Sequence, residues 1–403
     1  MRLKRSPLLL LAFIDQLAVT ISQQGLSILS EAFKQYAHLG IAQMGLLFST
    51  VALGAVAGMI PAGLALGRYG VKRVAWVSGI VILAVMLTLA GVLPKAFLPL
   101  LSLLGLVGFF LPALSLTGTT AITQIYEGAD DEGMAIGLRQ AATPLGGIVA
   151  ASLFPFLIKM WNLKIVVGLI ALNVGLWRLL FAASLPKMSG RHRIFAPRHP
   201  SRTWFRLWAQ FRVKLATLRW PLFISFLLSP GQYALLTYAI LDLHDRWHFR
   251  MTMAGPIIAL ALFTGFIARI FMGSLSDRGV AIHRLISGTA ALGAVSLWLW
   301  ALLPSDAPLW AVVAIFAGLG AGLDGWNGLL TGWITEITTG HERGMSLGLA
   351  GMSGFIGIVL FLPVFGIIVR VFASYRLAWA LLGLIYFAGL CVSRLAIRGA
   401  SKA

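Results

Sequence analysis

Charge is what this sequence has least of. Only 11% of its 403 residues are Asp, Glu, Lys or Arg, and just 13 are acidic. A water-soluble domain of this length needs far more polar surface, so the composition excludes an ordinary soluble fold. Cysteine is almost missing too. Cys391 stands alone, which excludes a disulfide framework and a thiolate metal cluster. His, Asp and Glu nowhere cluster with nucleophile or metal spacing; the nearest approach is His244 and His248, at i, i+4 beside Asp242 and Asp245, which lack a further ligand. That argues against an intramembrane enzyme, and no cofactor or metal is expected.

What is there instead is apolar: 59% of residues are hydrophobic and the mean hydropathy is +0.89. The implied solvent is the lipid bilayer. Forty-four glycines fit, because helices in lipid associate through small residues rather than through hydrophobic burial. The net charge of +19 does not indicate nucleic acid, since the basic residues are scattered between apolar runs and form no patch interleaved with stacking aromatics. The start, MRLKR followed by an apolar run, imitates a signal peptide. Asp15 and Gln16 interrupt that run, so it reads as an uncleaved first span.

A membrane span needs about 20 mostly apolar residues. Such runs fall at 7–29, 41–64, 74–94, 97–125, 134–158 and 163–185, then at 220–242, 252–275, 283–304, 308–335, 345–369 and 374–395. The expectation is an all-α membrane protein of twelve transmembrane helices. Placing the N-terminus inside puts 21 Lys and Arg on the cytoplasmic side against eight opposite, nine of the 21 in the loop 187–219. Lys and Arg in short loops mark the cytoplasmic face, so both termini are expected there, in an inner or plasma membrane. Within that loop Trp204, Trp208, Phe211, Leu215 and Leu218 recur near the helical period, as an interfacial amphipathic helix would. The expected division is 1–186, a first six-helix bundle; 187–219, a basic linker; and 220–403, a second bundle with a short tail.

The two halves repeat. GMAIGL at 133–138 answers GMSLGL at 344–349 at an offset of 211, and ITQI at 122–125 answers ITEI at 334–337 at 212. Gly63, Gly67 and Arg68 answer Gly273, Asp277 and Arg278 at 210. A near-constant offset in three segments indicates duplicated units of the same topology.

The segments GLALGRYGVKR and RIFMGSLSDRG resemble the loop signature G-x-x-x-D-R-x-G-x-K/R of the major facilitator superfamily, at both of its positions. With twelve spans, a basic middle loop and a repeat of about 210 residues, the resemblance covers the whole chain. It implies two pseudo-symmetric six-helix bundles that move a small solute by alternating access, usually as a monomer and often with protons. In that signature Gly63 and Gly273 are expected to permit close packing at a tight turn, and Asp277 to latch onto the positive helix start around Gly133. Gly67 stands where the family has Asp, so the corresponding latch of the first half is missing.

Polar residues on spans mark the expected solute path, because a polar face in lipid must turn inward. On the first span Gln16, Thr20, Gln23, Gln24 and Ser27 share one face, and on the seventh Ser225, Ser229, Gln232 and Tyr233 do the same. Ser115, Thr119 and Thr123 on the fourth, and Asp324, Asn327 and Thr331 on the tenth, continue the pattern. Back-bonding to helix carbonyls remains the alternative for the Ser and Thr residues. Pro230 and Gly231 are expected to interrupt the seventh span. Asp15 and Arg139, with Gln140 beside it, lie inside spans, and two readings of them stay open: a fixed pair, or contacts to substrate and proton. Arg178 and Arg269 are expected nearer helix ends, as snorkelling or gate residues. Arg139 and the amide side chains point to a polar organic anion carried with protons; export of drug-like amphipathic compounds is the alternative.

Overall fold

The structure, a computed structural model, describes residues 5–126, 132–186, 200–338 and 340–400. Every regular element among them is a helix. The chain divides into two compact units, Met1–Ala196 and Pro197–Ala403. The first holds α1 (Arg5–Ile28), α2 (Ser30–Ala37), α3 (Ile41–Tyr69), α4 (Val71–Val92), α5 (Phe97–Tyr126), α6 (Glu132–Met160) and α7 (Leu163–Ser184). The second holds α8 (Pro200–Asp245), α9 (Met251–Asp277), α10 (Ile282–Leu302), α11 (Leu309–Asp324), α12 (Trp326–Ile337), α13 (Gly340–Phe372) and α14 (Tyr375–Ala400).

Among the described residues twelve segments are long and apolar enough to span a bilayer, six per unit, from Pro7–Ile28 to Tyr375–Ala396. Each expected span has its counterpart. α11 and α12 together form the tenth, Leu309–Ile337. The short α2, which continues α1 after Leu29, is an element that hydropathy does not register, since Glu31, Lys34 and Gln35 lie on it.

Helix pairing repeats in the two units. In the first, α1 packs on α6, α3 on α5 and α4 on α7; in the second, α8 packs on α13, α9 on α11 and α10 on α14. Glycine makes the closest of these approaches possible. A Cβ on Gly58 would overlap the Phe109 carbonyl, and one on Gly320 would overlap the Ala261 carbonyl.

Two expectations need correction. The seventh span is not interrupted, for α8 runs unbroken through Pro230 and Gly231, and Gly231 instead makes room for the Tyr386 ring of α14. Gly63 and Gly273 are not close-packing positions, because an added Cβ would meet nothing within 4 Å at either. The turns after α3 and α9 are made by Gly70 (φ 80°) and Gly279 (φ 89°), whose left-handed backbone glycine alone adopts freely. As for the basic linker, residues 187–199 lie outside the described residues, and from Pro200 the backbone is helical and continuous with the seventh span. The side chains of the stripe from Trp204 to Leu215 lie outside the described residues.

Candidate functional site

In the first unit the polar groups converge on Arg139. It sits on α6, facing α1 and α5, and is 3% exposed. Its Nη1 donates to Thr119 Oγ1 at 2.8 Å, and its Nη2 donates to Gln16 Oε1 at 2.5 Å and to the Ser115 carbonyl at 3.1 Å. Gln16 is oriented in turn, its amide nitrogen lying 3.4 Å from both Thr20 Oγ1 and Thr143 Oγ1. Gly118 completes the seat, since a Cβ there would overlap the guanidinium. All of these acceptors are neutral, and the buried Nε of Arg139 has no acceptor at all.

Asp15 is not the partner of Arg139. Its carboxylate lies 3.1 Å from Arg178 Nη2, both side chains fully buried. The reason is helix geometry: neighbouring residues point about 100° apart, so when Gln16 faces α6, Asp15 faces α7. Arg178 likewise does not snorkel, being fully buried. It lies inside α7, donates to the Leu114 carbonyl at 2.7 Å, and its stem fits against Gly79. The three side chains Asp15, Arg139 and Arg178 thus carry two positive charges and one negative, and Arg139 is the one without a carboxylate.

The remaining first-unit candidates are dispersed. Gln23 and Gln24 are half-buried on α1, the Gln24 Oε1 being buried without a hydrogen bond. Gln140 is exposed, turned away from its neighbour Arg139. Back-bonding accounts for several hydroxyls: Thr119 donates to the Ser115 carbonyl and Thr123 to that of Thr119, each at 3.0 Å. Thr119 nevertheless serves Arg139 as well, through its lone pairs.

In the second unit Asn327 Nδ2 donates to Gln232 Oε1 at 3.1 Å, joining α12 to α8. Tyr233 is half-buried, its ring 6.3 Å from that of Phe355. Asp324, the last residue of α11, pairs with Arg269 of α9 at 2.5 Å. That pairing places Arg269, inside α9, against the end of α11. Ser225 Oγ donates to the Ala350 carbonyl at 2.8 Å. Ser225 and Ala350 stand at the repeat positions of Gln16 and Arg139, so the same helix contact recurs in both units with a cation in one alone.

Of the loop motif, Gly67 is half-buried, and Arg68, Asp277 and Arg278 are exposed, the Arg68 guanidinium lying 5.4 Å from the Tyr69 ring centre. The helix to whose start around Gly133 Asp277 is expected to turn, α6, begins at Glu132; the residues just before it, 127–131, lie outside the described residues.

Sequence reasoning passed over one polar centre. Asp242, fully buried near the end of α8, accepts from Trp300 Nε1 at 2.8 Å, Trp379 Nε1 at 2.9 Å and Arg246 Nη2 at 3.0 Å, all three on Oδ2, while Arg246 Nε lies 2.9 Å from Oδ1 as an ion pair. The Arg246 guanidinium also lies 4.6 Å from the Trp300 ring centre. The i, i+4 pairing of Asp242 and Arg246 was visible; the two tryptophans come from α10 and α14 and were not. With three donors on it, Asp242 is spoken for, and His244 Nδ1 lies 3.2 Å from the Phe249 carbonyl rather than in a ligand set.

Comparison with known proteins agrees with this architecture. The profile described as Major Facilitator Superfamily matches residues 8–326. Two uncharacterized MFS-type transporters of Mycobacterium tuberculosis, from strains CDC 1551 / Oshkosh and ATCC 25618 / H37Rv, are each 26% identical over 256 residues, 62% of this chain and 54% of theirs. The chain therefore spans about half the length of the curated relatives it matches. Among solved structures, the nucleoside transporter NupG superposes with a TM-score of 0.76 at 16% identity, covering 97% of this chain and 99% of the other. A D-xylose-proton symporter gives 0.72 at 14%, covering 95% and 96%. A POT family transporter in complex with 5-aminolevulinic acid gives 0.77 at 10%, covering 98% and 96%. At these identities the likeness is one of fold.

Proposed function

The chain belongs to the major facilitator superfamily, and from that premise we propose that it carries a small polar organic anion across the cell membrane by alternating access, with Arg139 as the anion-binding group. The observation that carries this reading is the seat of Arg139. A guanidinium stays charged in a membrane segment, at a cost of several kcal/mol in insertion. A structural arginine offsets that cost with a carboxylate, as Arg178 does with Asp15. Arg139 has only neutral acceptors, held in place by Gln16, Thr119 and Ser115. Its fork can take a carboxylate or phosphate oxygen pair by exchanging those weaker partners. The repeat supports the same conclusion, since Ala350 fills the equivalent position and the scaffold does not require the charge.

Proton coupling is assigned to Asp324 rather than Asp15. A coupling carboxylate must meet water during the cycle. The side chains of Asp324 and Arg269 retain 7% and 21% exposure, whereas those of Asp15 and Arg178 retain none. The excess of Lys and Arg in loops on one side of the expected spans supports cytoplasmic termini.

The test is a thermal-shift screen on purified protein over organic acids, sugars and amphipathic cations. Organic acids should stabilise the wild type and leave Arg139→Gln unmoved. Stabilisation by sugars or cations alone, equal in both proteins, would overturn the assignment.

A further inference from the structure

We infer that Arg269 is the positioning residue of a hinge in the tenth span, where it grips one residue, Asp324, by side chain and backbone at once. The claim stands on family membership and on contacts within the second unit, independently of the role given to Arg139.

The tenth span is interrupted. α11 stops at Asp324 and α12 begins at Trp326, with Gly325 between them at φ −65° and ψ −23°. Those angles are still helical, so the chain is not cut but loosened at this point. Two side-chain donors hold the two carbonyls beside it, with the Tyr386 hydroxyl, which donates to the Leu228 carbonyl at 2.5 Å, close by. Trp326 Nε1 reaches the Leu323 carbonyl at 2.8 Å, Tyr386 Oη lies 3.4 Å from the same oxygen, and Arg269 Nε donates to the Asp324 carbonyl at 3.0 Å. Away from water, backbone carbonyls at a helix interruption require such partners. Arg269 also holds the side chain of the same residue, its Nη2 donating to Asp324 Oδ1 at 2.5 Å.

The surroundings are shaped for that grip. A Cβ on Gly265 would lie 2.7 Å from Asp324 Cβ, and one on Gly325 would lie 3.2 Å from Ala268 Cβ, so α9 and the interruption touch through glycine. The start of α12 carries Asn327, which bonds Gln232 of α8. Arg269 thereby fixes the turn of α12 on which Asn327 is presented. The first unit does otherwise: Arg178 on the sixth span holds Asp15 of the first span and the Leu114 carbonyl of the fourth, so the grip of side chain and carbonyl on one residue belongs to Arg269.

A rival account makes Arg269 a counter-charge for Asp324 and nothing more. Hydrogen–deuterium exchange of the purified full chain, followed by mass spectrometry without any ligand, separates the two. In Arg269→Gln the amides of 325–331 should exchange about tenfold faster or more, the factor expected on losing a charge-assisted hydrogen bond to the carbonyl, while 309–321 stay as in the wild type. Arg269→Lys, whose single ammonium reaches one acceptor, should fall between. Arg269→Gln combined with Asp324→Asn removes the charge imbalance but not the lost carbonyl bond, so its exchange should remain raised. Wild-type exchange in Arg269→Gln, return to wild type in the double variant, or a uniform rise across the second unit would each overturn the inference. Should Arg269→Gln not be recovered folded, Arg269→Lys decides alone: raised exchange confined to 325–331 supports the hinge, and unchanged exchange contradicts it.

Discussion

Asp15 and Gln16 are adjacent in sequence yet bind two different arginines: Asp15 meets Arg178 at 3.1 Å, and Gln16 meets Arg139 at 2.5 Å. The first is a charge-balanced ion pair. The second leaves a cation hydrogen-bonded to neutral groups, with the Asp15 charge acting on it without contact. On that difference rests the division of the first unit into a structural ion pair and a binding group.

Removing one member of that ion pair should therefore be costly. Asp15→Asn strands the Arg178 charge in a dry interior and should lower stability by about 3–5 kcal/mol, with much of the loss recovered when Arg178→Gln is added. Arg139→Gln strands no carboxylate and should change stability by about 1 kcal/mol or less. Thermal unfolding of the detergent-purified variants gives the order directly. Equal losses for Asp15→Asn and Arg139→Gln would mean that both arginines are structural.

The seat of Arg139 can be disturbed without touching its charge. Gly118→Ala places a methyl group where the guanidinium lies, so the side chain must leave Thr119 and Gln16. Anion-dependent thermal stabilisation should fall at least about tenfold in apparent affinity, as expected when a charge-assisted contact is misplaced, with folding retained. Unaltered affinity would show that the anion binds elsewhere.

The Asp242 centre is predicted to be architectural. Asp242→Asn keeps one acceptor oxygen for two indoles and a guanidinium and leaves Arg246 without its counter-charge, so stability should drop by roughly 1–3 kcal/mol. Anion-induced shifts should persist in the variant. Loss of the shifts with no loss of stability would move Asp242 into the binding machinery.

Much of the fold was legible because bilayer thickness sets a length that hydropathy can count. All twelve spans were, and so was the duplication. What hydropathy cannot weigh is a short polar helix such as α2, or an interruption such as Gly325, whose angles remain nearly helical. The site was legible only in part. Periodicity placed Gln16 and Thr20 on one face, yet nothing in the spacing says which neighbouring helix that face meets, and so a pair of Asp15 with Arg139 stayed open although α7 lies on its side. Gly63 and Gly273 were chosen for their place in the motif. The left-handed backbone that demands glycine is a few residues further on, at Gly70 and Gly279.

Topology follows from the distribution of Lys and Arg. In a Cys391→Ala background, Phe195→Cys should resist an impermeant thiol reagent applied to intact cells, while Arg250→Cys should react. Labelling of position 195 from outside would reverse the proposed orientation.

The central claim, that Arg139 recognises an anionic solute, is tested most directly by titrating the organic acid that most stabilises the wild type into purified wild type, Arg139→Lys and Arg139→Gln by calorimetry. An arginine that binds the anion through its planar fork predicts weakened but measurable binding to Arg139→Lys, no binding to Arg139→Gln, and unfolding temperatures close to wild type for both. Wild-type affinity in Arg139→Gln would contradict the account.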